Sequence, residues 1–120
     1  MKNLILIFLT TILLTGCSSM KIEDFNNTKP EFIPQEYFNG KLRAYGLVKD
    51  RSGNITRTFK GEMIGSWDAN GVGKLQEFFV YNNGEKLERT WILKPTSDKK
   101  FVATADDIVG PSAMIANGNT

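Results

Sequence analysis

The stretch Ile55-Thr56-Arg57-Thr58-Phe59-Lys60-Gly61-Glu62-Met63-Ile64-Gly65-Ser66-Trp67 (ITRTFKGEMIGSW, residues 55–67) decides the fold. Ile55, Phe59, Met63 and Trp67 share one parity with Gly61 and Gly65, while Thr56, Thr58, Lys60 and Glu62 take the other. Successive side chains of a β-strand point to opposite faces, so this period of two makes one face apolar and the other wet. Leu87, Trp91 and Leu93 repeat the pattern against Lys86, Glu88 and Thr90. Glycines inside a strand mark bends or room beside large neighbours. A strongly coiled antiparallel sheet is the expected consequence.

Outward from this stretch, short runs rich in β-branched and aromatic residues alternate with turn clusters. These clusters are DRSGN (50–54), DANGVG (68–73), YNNGE (81–85), PTSDKK (95–100) and ADD (105–107). Asn-Gly occurs at 70–71 and 83–84, where both residue types accept the positive φ of hairpin turns. The pattern predicts strands over 41–48, 55–67, 73–82, 86–94, 100–105 and 108–116, joined hairpin to hairpin. An up-and-down barrel closes at about eight strands. The fold class is therefore mainly β: an antiparallel meander curled into an incomplete or half-open barrel, after an N-terminal signal helix. Asn117-Gly118-Asn119 looks like the start of a further turn, so residues 36–120 read either as a β domain cut short or as a complete small half-barrel.

The chain begins differently. Lys2 is followed by an apolar run from Leu4 to Leu14 that is interrupted only by Thr10 and Thr11. A helix needs roughly 20 apolar residues to span a bilayer, so this run fits the h-region of a secretory signal rather than a transmembrane anchor. It ends in Leu14-Thr15-Gly16-Cys17, which holds the sequence's one cysteine. That tetrapeptide resembles the lipobox of bacterial lipoproteins, which implies cleavage before Cys17 and acylation of its sulfur and of the new amino terminus. Residues 1–16 are then the signal peptide, and the protein is anchored to a membrane by lipid without crossing it. Ser18, where aspartate would favour inner-membrane retention, points to the periplasmic face of the outer membrane. Residues 17–35, polar and carrying Pro30 and Pro34, read as a tether, with Phe25, Phe32 and Ile33 able to dock on the domain.

Composition excludes several function classes. Fifteen basic residues against 13 acidic ones, with both signs interspersed, give no basic stripe for nucleic acid. With no histidine, imidazole-based acid–base catalysis and histidine-containing metal sites are impossible within the chain. A lipid-modified Cys17 leaves no thiol for chemistry. Neither a cofactor, a metal nor an enzymatic activity is expected.

Residues 36–110 resemble the first part of an uncharacterised family of bacterial lipoproteins known only as a domain of unknown function. Tyr37-Phe38-Asn39-Gly40, Asp50-Arg51-Ser52-Gly53, Gly65-Ser66-Trp67-Asp68, Phe79-Val80-Tyr81, Arg89-Thr90-Trp91 and Asp106-Asp107-Ile108-Val109-Gly110 carry the likeness. It implies a barrel similar to the calycins and lipocalins, continuing for several more strands than this sequence holds. It supplies no reaction.

Among candidate sites, Trp67, Phe79 and Trp91 share the apolar face, where they line a ligand cavity or simply fill the core. Asp106 and Asp107 are adjacent, so on a strand they point to opposite faces; in a turn such pairs are usually solvated. Arg51 and Arg89 could clamp an anion, but such arginines ordinarily lie on wet faces or cover aromatic rings. Two functional readings follow. One is an envelope module binding a small apolar ligand; the other is an interaction lipoprotein docking on an envelope protein through an exposed sheet face or edge.

Overall fold

The computed structural model describes residues 19–120; the stretch expected to be a signal peptide and Cys17, expected to carry the lipid, lie outside the described residues. Six strands follow one another in a single antiparallel sheet: β1 (Gly40–Lys49), β2 (Ile55–Trp67), β3 (Gly73–Tyr81), β4 (Lys86–Ser97), β5 (Lys100–Thr104) and β6 (Ser112–Ile115). Strand order in space equals order in sequence, and the sheet curls into a half-barrel. The predicted β2 coincides with the observed one. β4 runs three residues past its expected end, because Pro95 sits at a break in register with β5 where no ladder N–H is required. The expected strand over 108–116 shortens to Ser112–Ile115, since the Ile108 N–H donates to the Ala105 carbonyl and closes a turn first.

Three of the hairpin turns share one construction. Gly53, Gly71 and Gly84 donate to the carbonyls of Asp50, Asp68 and Tyr81, and each glycine has a φ between +75° and +87°. This is a three-residue loop, a type I turn followed by a left-handed residue. Asn70 and Asn83 keep negative φ, contrary to expectation, because this loop needs only one left-handed residue. Asp50 and Asp68 brace their turns, each accepting from two backbone N–H groups further along with a single Oδ1.

The inner face of the half-barrel is thinly covered. Leu93, Phe101 and Ala103 form its buried cluster, with Leu93 only 2% exposed, and Trp67, Trp91 and Met114 pack around them. One helical turn, α1 (Pro34–Tyr37), delivers Phe38 to the end of β2, where the Trp67 indole N–H donates to the Phe38 carbonyl at 3.0 Å. A side chain at Gly65 would collide with that same carbonyl, so glycine is what lets the segment lie on the strand. Ile55, expected on the inner face, is exposed instead. The β1–β2 register shifts between Val48 and Lys49, and Ile55 falls beside the turn.

The segment before α1 docks. A 3₁₀ turn at Ile22–Phe25 and the residues after it grip the turn formed by residues 117–120. The Phe32 N–H donates to the Gly118 carbonyl at 2.7 Å, Asn117 Nδ2 donates to the Ile22 carbonyl and to Asn26 Oδ1, and Thr28 bonds Asn119. Lys99 and Glu31 add an ion pair. Of the apolar residues able to dock, Phe25 and Phe32 are half-buried and Ile33 is exposed.

Candidate functional site

Strand register orders the inner face into rows. Trp67, Gly73, Leu93 and Ala103 form one row across β2, β3, β4 and β5. The next runs through Gly40, Gly65, Leu75 and Trp91. After it come Leu42, Met63, Glu77 and Arg89, then Ala44, Gly61, Phe79 and Leu87, and then Gly46, Phe59 and Tyr81. Apolar rows thus flank one row that ends in a carboxylate and a guanidinium.

Between β2 and β6 the curl leaves an open apolar recess of about 350 Å³, floored by Leu75, Leu93 and Ala103 and walled by Phe38, Met63, Trp91 and Met114. Glu77 stands at its border, and it also lines a second, polar cleft of about 280 Å³ that contains Arg89, Asp106 and Asp107. Glu77 is the residue that the two share.

Arg89 is held from two sides. Its Nε donates to both carboxylate oxygens of Asp107 at 2.9 and 3.0 Å, and its Nη2 donates to Oδ2 at 2.8 Å, the forked geometry that makes guanidinium–carboxylate pairs strong. Nη1 lies 3.9 Å from Glu77 Oε2, and the guanidinium carbon sits 5.5 Å from the centre of the Trp91 ring. The hydrogen bonds from Arg89 lower the Asp107 pKa and raise that of Arg89. The Glu77 pKa moves the other way, raised above the usual glutamate value by burial among apolar neighbours; contacts with Trp91 and Arg89 oppose this only in part.

The three aromatic candidates separate in space. Trp67 belongs to the core, edge-on to Phe101 with ring centres 5.7 Å apart. Trp91 borders both the core and the recess. Phe79 lies on the far side of the charged row, stacked on Phe59 at 4.9 Å, with Tyr81 edge-on to Phe59 and Arg57 over the Tyr81 ring. Of the two arginines singled out, Arg51 is exposed in the first hairpin turn, whereas Arg89 covers Trp91. Asp107 is half-exposed and is paired with Arg89, while Asp106 is exposed. Sequence reading missed Glu77, although its parity with Leu75 and Phe79 along β3 placed it inside. Among the described residues no group of three histidine, cysteine or acidic side chains is placed to hold a metal ion.

The arrangement offers an apolar surface with one polar boundary. It can hold an apolar or amphiphilic molecule against Trp91 and Met114, with Glu77 as a hydrogen-bond acceptor at the edge. Over residues 11–120 the chain matches the family described as protein of unknown function (DUF3833), and it belongs to that family. No curated protein and no solved structure matches it.

Proposed function

We propose that this member of the DUF3833 family is a lipid-anchored envelope protein that binds a small apolar or amphiphilic ligand on the inner face of its half-barrel. Binding rather than catalysis is its role, with the acylated Cys17 holding it at the periplasmic face of the outer membrane. The observation that carries the reading is the open recess between Phe38, Met63, Leu75, Trp91 and Met114. A sheet curled this far and left unfilled exposes apolar side chains where a filled barrel would bury them, and concave apolar surfaces with a few polar groups are the usual form of ligand sites. The signal run and Leu14-Thr15-Gly16-Cys17 support the address.

A second reading rests on a different observation. Among the described residues β1 pairs on one side only, and Tyr45, 76% exposed, and Leu47 stand out from its wet face. A free edge with exposed apolar side chains suits strand-by-strand docking of another envelope protein.

Native mass spectrometry of the protein purified from the envelope separates the two. A co-purifying small molecule is expected, together with the mass of an acylated Cys17 terminus. A stoichiometric protein partner without a small molecule would favour docking. Replacement Cys17→Ser should release the protein from the membrane fraction; a Cys17→Ser chain that stays acylated and membrane-bound would refute the anchor.

A further inference from the structure

Between the Trp67 row and the Tyr81 row, the apolar lining of the inner face is broken by one charged row, and the break has a sign. Glu77 and Arg89 face each other across β3 and β4, with Leu75 and Trp91 in the row on one side and Phe79 and Leu87 on the other. Withdrawing charges from water costs free energy that apolar side chains of the same size would not, so a charged row here is a poor stabiliser of the sheet.

Nor is the row a closed ion pair. The Arg89 fork is committed to Asp107 at 2.8–3.0 Å, while its remaining nitrogen stays 3.9 Å from Glu77, beyond hydrogen-bond range. Glu77 is left with a side chain only 13% exposed and with its nearest cation engaged elsewhere. Two carboxylates stand against one guanidinium, so the group carries one net negative charge when ionised. The other residues lining the recess are uncharged.

We propose that the occupant of the recess is an amphiphile with a cationic head: its apolar body lies against Leu75, Trp91 and Met114, and its ammonium group meets the Glu77 carboxylate. This rests on the reading of the recess as a ligand site and adds the chemistry of the head group. An anionic head at the same place meets two carboxylates, and the one guanidinium beside them already shares its charge with Asp107 through the fork. A neutral head can donate a hydrogen bond to the carboxylate but leaves its negative charge unbalanced.

The test uses the full chain in nanodiscs of zwitterionic lipid, with tryptophan emission followed during titration with octylammonium, octanol and octanoate, and empty nanodiscs subtracted. Octylammonium is expected to bind about tenfold more tightly than octanol, and octanoate more weakly than both, in keeping with the attraction that a full cation adds beside the carboxylate. Glu77→Gln should abolish the preference for octylammonium, bringing it to the level of octanol in the same variant. If octanol or octanoate binds the parent as well as octylammonium does, the cationic head is refuted and the recess remains a ligand site. A preference for octylammonium that survives Glu77→Gln refutes the assignment to Glu77. If none of the three changes the emission, the recess is not a ligand site and both readings fall together.

Discussion

The two ends of the inner face are built from the same alternation and meet different fates. At one end Trp67, Leu93, Phe101 and Ala103 are packed from above by Trp91 and Met114 and closed by the Phe38 segment. At the other, Phe59, Phe79 and Tyr81 touch chiefly one another, and each is only half-buried. β5 pairs with β4 only from Ile92 onward, so the half of β4 carrying Leu87 and Arg89 has a single strand neighbour, β3. Period-two patterning selects which face is inside. How deep that inside becomes depends on how many strands and segments curl over it.

Truncation at the two ends should therefore cost unequally. Leu93→Ala removes a fully buried side chain from a cluster with little room to collapse, and a loss of about 3 kcal/mol is expected by urea denaturation. Phe79→Ala, although it deletes more atoms, removes a half-buried ring whose main partner is Phe59, and about 1 kcal/mol is expected. Equal losses would break the comparison by showing that the aromatic end is as well covered as the closed one. A Phe79→Ala loss near zero would sharpen it, marking that end as exposed surface kept for something other than stability.

Most of the sheet was legible because its signals are local. Asp50, Gly53, Asp68 and Gly71 announce their turns within five residues, and the parity of Phe59, Met63 and Trp67 gives the face of β2 directly. What escaped reading depends on distant partners. Arg89 belongs to the inner parity of β4, yet its charge argues for the wet face; the conflict resolves only through Asp107, 18 residues away in a turn that the chain folds back over the strand edge. The same turn shortens β6, since Asp107 is drawn to Arg89 and Gly110 adopts a φ of +75° where a continuous strand was expected. Glu77 was hidden for a related reason. A lone carboxylate in an apolar row looks like an error of parity until its cross-strand neighbour is known. Docking of the segment before α1 turned on Asn117 and Gly118, whose partners lie more than 80 residues earlier.

The smallest effect probes the boundary between the two ends. Burial raises the Glu77 pKa above 4.5, so from about that pH upward the folded chain binds more protons than the unfolded one. The stabilising contribution is fully present below the unfolded value and is lost as pH rises through the folded one; at neutral pH an ionised Glu77 is a net cost. Asp107 has the opposite sign, because the Arg89 hydrogen bonds hold its pKa below 3.8; its contribution is present above that value and is lost as pH falls. Glu31 and Asp50, lowered by Lys99 and by Asn54 respectively, act in the same acidic window as Asp107. The two windows lie on opposite sides of the ordinary glutamate value and carry opposite signs, which makes Glu77 separable from the rest by its variant. Urea midpoints measured from pH 3 to pH 8 should show the parent losing stability above about pH 4.5, whereas Glu77→Gln holds level there and keeps the acid-side fall. At pH 7 the Gln variant should be at least as stable as the parent. A decline above pH 4.5 that persists in Glu77→Gln would place its source elsewhere and show that the burial of Glu77 costs the sheet nothing, so that the charged row would mark no energetic boundary between the two ends.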